Sequence, residues 1–495
     1  MTTPAKYRLT GLLLVLGLST TVACGSETKD EGTDKKDDAK KDDAKKDDVK
    51  KDDAKKDEPA TTAGDAKVDV PTPDPGTTPP VNTPGAGEAG PAYFAVDDKG
   101  IVKLDGTTFT LLSGAPDKFV RDLLVGPDGS LYVLTFSELS KIEGDSFKQV
   151  FKFGFDDMGS VDALAFGKDG KYFAVSYNGV GEWANNVWTV TKKEDIGADV
   201  KLLNGVALAS DGTLWVASSN DLHYKGADGK WVKADVSVLD RMPFFNSLQT
   251  SPTGDLYAQA GNYLGKVTAG TPPKIEKIEI KGTNAWGFSE LSFSPDGQIG
   301  LASLSCDLVR MNPADPASVW VQNGDSKYGC ESLSAVTLDG QKRMWVASRS
   351  GLNVMGPGSE NVAYPSGSVL ELVGNVKSIA VVGQGPALPA APPTKKGGIT
   401  GKLLMDGTAI ANAKVEICPQ PALFTTTTPC ADSNAKFSGT SGADGTFTFA
   451  DVPLGNYGVA VEIDGKWRTS WLSDFGVQMK EGATYDIGSV KFTAN

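Results

Sequence analysis

Histidine is nearly missing, since the 495 residues contain one, His223. Imidazole is the usual proton shuttle near neutral pH and the commonest zinc ligand, so a single copy removes most hydrolase triads and most zinc sites. A basic surface is also lacking: 49 Lys+Arg stand against 62 Asp+Glu, a formal charge of −13. Phosphate backbones need positive charge, so a nucleic-acid partner is excluded. The apolar run Leu9–Leu18 offers about ten residues, half of what a bilayer-spanning helix needs. No G-x-S-x-G, H-E-x-x-H or Walker pattern is present, which removes the commonest short catalytic signatures. What the chain does have is glycine and proline, 57 and 28 residues, a composition that favours turn-rich β structure.

The N-terminus carries Lys6 and Arg8, then the apolar run, then Thr21-Val22-Ala23-Cys24. A short apolar stretch behind positive charge reads as a signal peptide over 1–23. The last four residues resemble the bacterial lipobox, although the family prefers Leu or Val where Thr21 stands. The resemblance implies lipidation of Cys24 and anchoring of the chain to a lipid bilayer. Gly25, in place of the aspartate that marks inner-membrane retention, implies the outer membrane or cell surface. The alternative is an ordinary cleavage site beside a chance cysteine. Of the remaining cysteines, Cys306 with Cys330 and Cys418 with Cys430 form two close pairs. These read as two disulfides in an oxidising compartment, or as four buried thiols. Neither pair has C-x-x-C spacing or a nearby histidine, which argues against a metal.

Residues 24–91 read as a disordered tether, with too few apolar side chains to fold. Their centre is five pentads from Lys35 to Pro59, in which ten Lys cancel nine Asp and one Glu. Pro71-Thr72-Pro73-Asp74-Pro75 and Thr78-Pro79-Pro80 add stiff polyproline-type spacers.

Beyond the tether an apolar strand, a turn ending in glycine and a second strand recur. The turn glycines are 129, 170, 212, 254, 297 and 340, spaced by 41, 42, 42, 43 and 43. Asp-Gly between apolar runs signals a hairpin, and a period near 42 fits a four-stranded propeller blade. Val376–Gly383 supplies a first strand with no second after it, while Tyr93–Val96 opens three strands that lack a first. Six internal repeats and one blade shared by both ends predict a seven-bladed β-propeller over 92–386. The unit Leu214-Trp215-Val216-Ala217-Ser218, echoed by Met344-Trp345-Val346-Ala347-Ser348, resembles the sensor-type and NHL-type bacterial propellers. After a Pro-rich linker, 387–396, the segment 397–495 contains Asp444-Gly445-Thr446-Phe447-Thr448-Phe449 and Val452-Pro453-Leu454-Gly455-Asn456-Tyr457. It resembles the carboxypeptidase regulatory-like domain, which implies a non-catalytic, transthyretin-like β-sandwich. The expected fold class is therefore all-β, a seven-bladed propeller followed by a sandwich, behind a disordered N-terminal tether.

Candidate chemistry gathers at the channel mouth. The residue opening each blade's first strand is Arg121, Asp162, Asn204, Asn246, Ser289, Glu331 or Lys377, all polar and each followed two residues later by an apolar one. Such a nearly neutral ring either binds a polar ligand or caps and hydrates the channel. Asn204-Gly205 with Asp211-Gly212 resembles the gluconolactonase propellers, which implies a metal-dependent lactonase as the alternative, with Asp162, Asn204, Asn246 and Glu331 as oxygen ligands. Arg121 and Lys377 in the same ring oppose a cation. Trp183 and Trp286 break the repeat and read as loop aromatics, either interface anchors or lids. Trp215 and Trp345 read as core, and His223 falls on an outer strand. The reading is a binding or scaffold propeller for a protein or polar small molecule, with no cofactor, no assigned catalytic residue and a place in the cell envelope.

Overall fold

The computed structural model describes residues 88–493, apart from 118, 155–157, 168–169, 240–243, 262, 269, 281–286, 304–306, 323–332, 359–360, 420, 423–426, 432, 434 and 471–478; the side chains of 246 and 316–318 are also outside it. Cys24, residues 24–87 of the expected tether, Cys306, Cys330, Glu331 and Trp286 thus lie outside the described residues, while 88–91 already run beside the outgoing chain. Seven four-stranded antiparallel sheets and two further sheets account for the chain. Blade 1 joins β28 (Val376–Val381) to β1 (Ala92–Val96), β2 (Gly100–Asp105) and β3 (Thr108–Leu111). Blade 2 is β4 (Val120–Val125) to β7 (Ser146–Lys152), blade 3 is β8 (Val161–Phe166) to β11 (Val187–Lys192), and blade 4 is β12 (Leu203–Leu208) to β15 (Trp231–Lys233). Blades 5, 6 and 7 begin with β16 (Phe245–Thr250), β20 (Glu290–Phe293) and β24 (Leu333–Leu338), and end with β19 (Lys274–Glu279), β23 (Asp315–Gln322) and β27 (Asn361–Pro365).

Burial follows position in the blade. The second strands β5 (Leu131–Thr135), β13 (Leu214–Ser218), β17 (Leu256–Ala260) and β25 (Met344–Ser348) are buried at every residue. A strand covered on both faces by adjacent blades reads as a continuous apolar run, because neither face meets water. The outermost strands, such as β3 and β19, are largely exposed. Each pair of successive blades shares its own apolar cluster, seven clusters around the ring. The core is therefore distributed, and a 290-residue body needs no single large centre. Trp215 and Trp345, 1% and 0% exposed, fill equivalent places in two of these clusters.

The ring closes through β1 and β28, which pair antiparallel from Ala92↔Val381 to Val96↔Val376. This removes the open edge a linear blade array would present. A buried network reinforces the seam. Asp339, with a fully buried side chain, accepts from Arg343 Nε at 2.6 Å and from Trp345 Nε1 at 2.8 Å. Arg343 Nη2 in turn donates to the carbonyls of Gln384 and Pro386, at 3.0 and 2.9 Å, so blade 7 grips the chain as it leaves blade 1.

Two sequence expectations change here. The seventh-blade turn was expected at Asp339-Gly340, but the left-handed residue is Lys342 (φ 62°), where Gly212 (φ 86°) stands in blade 4. Asp339 takes the buried role just described; the turn keeps the length of its blade-4 counterpart, and its left-handed position falls two residues beyond Gly340. Trp183 lies on β10 (Gly179–Ala184), opposite Trp188 and Tyr172, and not in a loop. Its ring packs against Phe151 and Trp188, with centroids 5.0 and 5.3 Å away, so it joins the aromatic cluster between blades 2 and 3.

Residues 396 onward form two packed sheets. In one, β29 (Lys396–Met405) pairs antiparallel with β33 (Thr446–Pro453) and β30 (Thr408–Ala409), and parallel with β36 (Thr484–Phe492). In the other the order is β32 (Phe437–Thr440), β31 (Lys414–Cys418), β34 (Gly458–Ile463), β35 (Lys466–Ser470). Alternation on β33 sends Phe447 and Phe449 inward, with Val415, Ile417, Val459 and Val461 facing them from the second sheet. Cys418 and Cys430 form a disulfide with Cα atoms 5.8 Å apart. The sandwich packs on the propeller within one compact unit. Val373 of the propeller enters the sandwich core, Ser366 Oγ donates to Leu454 O at 2.8 Å, and Lys395 N donates to Gly367 O at 2.9 Å.

Candidate functional site

Six of the seven innermost strands begin at one face of the propeller with a bulge, one residue left without a cross-strand partner, and β20 pairs without one. Arg121, Asp162, Asn204 and Asn246 are those residues on β4, β8, β12 and β16, and Lys377 is its equivalent on β28. Ser289 lies at the same place before β20. On β24 the bulge falls at Ser334, while Glu331 lies outside the described residues. Ser289 Oγ donates to Ala302 O at 3.4 Å and Ser334 Oγ to Ala347 O at 3.3 Å, the same contact in successive blades, which fixes Ser334 as the seventh-blade counterpart.

Most ring members are engaged with the protein itself. Arg121 Nη2 bonds Asp162 Oδ1 at 2.5 Å, tying blade 2 to blade 3. Burial raises the Asp162 carboxyl above the usual range, and the Arg121 charge pulls it partly back. Asn204 Nδ2 donates to Phe245 O at 2.7 Å, tying blade 4 to blade 5. Lys377 Nζ meets Asp97 Oδ2 at 3.2 Å. The first two contacts link neighbouring blades, whereas Lys377 and Asp97 both belong to blade 1. Asp162 is committed to Arg121, while Asn204 Oδ1 is buried without a hydrogen-bond partner. Among the described residues no group of three or more His, Cys, Asp or Glu is placed to hold a metal ion. His223 is buried on the third strand of blade 4 and held neutral-leaning by burial, which lowers its pKa.

The residue after each bulge, or after Ser289 ahead of the bulge-free β20, was not singled out in the sequence. Around the ring it is Asp122, Ala163, Gly205, Ser247, Glu290, Ala335 and Ser378. Five are small, and two are carboxylic acids. Asp122 Oδ1 accepts from Ser378 Oγ at 2.6 Å and from Leu123 N at 2.8 Å, and burial raises its pKa. Glu290 is pushed up to about 8, first by burial and then by the negative charge of Asp122. At neutral pH Glu290 is therefore mostly a neutral carboxylic acid, a hydrogen-bond donor and a poor cation ligand. Two acids in a column of small residues are the signal that would have revealed this inner ring. A bulge reverses the pleat, so the side chains one residue on, and not the strand-opening ones, enter the packed channel wall.

The same face carries apolar groups. Second strands end there and blades connect there, so turns between second and third strands and blade-to-blade links share it. Phe136 and Tyr177 occupy such turns, exposed by 40% and 64%. Phe119, Leu202 and Phe244 immediately precede β4, β12 and β16, exposed by 53%, 44% and 58%, and Val238 lies on the link into blade 5. They span blades 2 to 5. Cations sit over two of the rings: Arg121 lies 5.5 Å from the Phe136 centroid, and Lys193 3.5 Å from that of Tyr177.

No family model and no curated protein matches the chain. Among solved structures it is similar to virginiamycin B lyase from Staphylococcus aureus, at 13% identity and a TM-score of 0.41, over 50% of this chain and 84% of that one. It is also similar to the extracellular domain of BT4673 from B. thetaiotaomicron, assigned to a one-component system, at 11% identity and a TM-score of 0.42, over 76% and 61% of the two chains. The extracellular domain of BT3049 from the same organism, assigned to a hybrid two-component system, aligns at 12% identity and a TM-score of 0.40, over 82% and 56%.

Proposed function

We propose that the chain is a non-enzymatic binding protein of the cell envelope, lipid-anchored at Cys24, whose propeller presents a protein-docking face. The observation that carries this reading is the set of six exposed large apolar side chains on one face of blades 2 to 5. Exposed aromatics flanked by arginine and lysine are the residues that dominate binding energy at protein interfaces, and apolar patches on soluble surfaces mark interaction sites. The polar ring at the mouth supports the same reading, because Arg121, Asp162 and Asn204 are engaged in joining blades. Lactone hydrolysis is the weaker alternative, since it needs Asp162 as a ligand and that carboxylate is paired with the Arg121 cation.

The test is site-specific photo-crosslinking in intact cells. A photoreactive residue at position 119 or 177 should give one shared adduct that position 211, on an opposite-face turn, does not give. Identical adducts from both faces, or none from the first, would end the docking proposal. Mass spectrometry of the mature N-terminus tests the anchor, and an unmodified Cys24 refutes it.

A further inference from the structure

The lone histidine sits beneath the docking face. His223, 3% exposed, is the second residue of β14 (Leu222–Lys225) and lies between Val216 of β13 and Lys233 of β15 in the ladder. The link from blade 3 to blade 4 covers it. That link opens with the short helix α1 (Lys193–Ile196) and runs to Leu202, and a Cβ at Gly197 would lie 3.1 Å from His223 Nε2. On the other side of the ring, Nδ1 is sealed from solvent with no hydrogen-bond partner. The same link carries part of the docking face: Leu202 is one of its exposed apolar groups, and Lys193 lies over the Tyr177 ring. It is held lightly. Besides the buried side chains of Ile196 and Val200, Lys193 N donates to Asn178 O at 3.2 Å, Gly197 N to Lys193 O at 3.2 Å and Val200 N to Gly197 O at 3.0 Å.

We propose that His223 is a pH-operated latch: the neutral ring seats the link and completes the docking face, and protonation lifts the link and releases the partner. Release presupposes the docking face, whereas the latch itself stands on the buried geometry. A neutral imidazole has one N–H and one acceptor, and the imidazolium has two N–H donors. The charged ring would aim its Nδ1–H at nothing that accepts, in a place closed to water, which is costly. Neighbouring charges do not answer it. Asp221 Oδ1 is paired with Lys233 Nζ at 2.7 Å, and Lys233 stands directly across the ladder from His223. From β13 the ring is faced by Val216, on a strand with no charged residue. On the link Glu194, Asp195 and Asp199 are exposed, and Lys193 is over Tyr177. Burial lowers the His223 pKa from its ordinary 6.5; Asp221 raises it in part, and Lys233 lowers it again. The seated form therefore binds a proton less tightly than a lifted one, so the seat is complete above pH 6.5 and weakens as pH falls below it. Because β14 is laddered on both sides, the ring reaches water past the link.

Hydrogen exchange of the full chain at about pH 7.5 and about pH 5.0, corrected for the intrinsic pH dependence of amide exchange, tests the latch. In the parent, residues 193–203 should exchange roughly tenfold faster at the lower pH while β13 is unchanged. His223→Gln and His223→Phe, neither of which can ionise, should each remove the difference; Asp162 and Glu290 titrate in all three proteins. Photo-crosslinking from position 119, outside the link, reads release in cells held at the same two pH values: the parent adduct should weaken in acid and the variants' adduct should persist. No acceleration in the parent, or acceleration kept by both variants, overturns the latch. Acceleration that depends on His223 beside an adduct that does not weaken overturns release, and an adduct absent at both pH values overturns the docking reading instead.

Discussion

Glu290 gives the fold a pH dependence that can be worked out in advance. Its carboxyl titrates near 8 in the folded chain against an ordinary value of 4.5. The folded state therefore holds the proton more tightly than the unfolded state does. Stability from this group is complete below about pH 4.5 and is lost as pH rises through 8. A shift of that size corresponds to about 5 kcal/mol as an upper bound, and relaxation around the ionised carboxylate would bring the measured value to roughly half. Glu290→Gln keeps the shape and hydrogen-bond capacity but cannot ionise. Chemical denaturation followed by tryptophan fluorescence should show parent and variant within about 1 kcal/mol of each other at pH 5. At pH 9.5 the variant should be about 2–5 kcal/mol more stable. His223, whose burial favours its neutral form, titrates in both proteins and drops out of the difference. Parallel stability profiles for parent and variant from pH 5 to 9.5 would show that Glu290 is not desolvated in the channel, and the inner acidic ring would have to be abandoned.

Asp339→Ala should destabilise the propeller by about 3–5 kcal/mol, because it strands the buried Arg343 charge; adding Arg343→Met should recover most of the loss in denaturation midpoints, and no recovery would refute the coupling. Gly367 has φ 80°, and a Cβ there would lie 2.8–2.9 Å from Leu454 N, Leu454 O and Lys395 O. Gly367→Ala should therefore loosen the sandwich while sparing the blades, seen as faster hydrogen exchange in residues 396–460 and an unchanged β25. Replacing Cys418 and Cys430 by serine opens a loop with a sequence separation of 12, which by loop entropy costs the sandwich about 3 kcal/mol; an unchanged midpoint would show that the bridge adds nothing to stability.

Much of the architecture was open to reading from residue spacing alone. Turn glycines such as Gly129, Gly212 and Gly297 recur because each first hairpin needs a left-handed residue, and that need is local. The shared first blade was legible because Val376–Gly383 and Tyr93–Val96 are complementary fragments of one repeat. What escaped reading was set by tertiary contact. Lys342 accepts the left-handed turn so that Asp339 can be buried against Arg343 and Trp345, and no local pattern announces that exchange. The bulge on β4 moves the channel wall from Arg121 to Asp122, a one-residue step invisible without the pairing register, and at the start of β20 Glu290 takes the place expected of Ser289. Trp183 broke the repeat as a sequence, yet its strand pairs it with Trp188, and its ring joins a cluster with Phe151 between blades 2 and 3. Ser366 and Leu454 are 88 residues apart and meet only because two modules dock.

The seam between β1 and β28 also has a mechanical meaning. Val382 N bonds Pro91 O and Gln384 N bonds Glu88 O, at 3.0 and 2.8 Å, so the incoming chain runs alongside the outgoing one before either leaves the ring. Force arriving through the residues before Glu88 is directed along β1, which is flanked by β28 and β2. Such a load shears several ladder bonds at once and does not peel them one at a time. A propeller tugged by a docked partner would then resist rupture at the point where its circle was sewn shut.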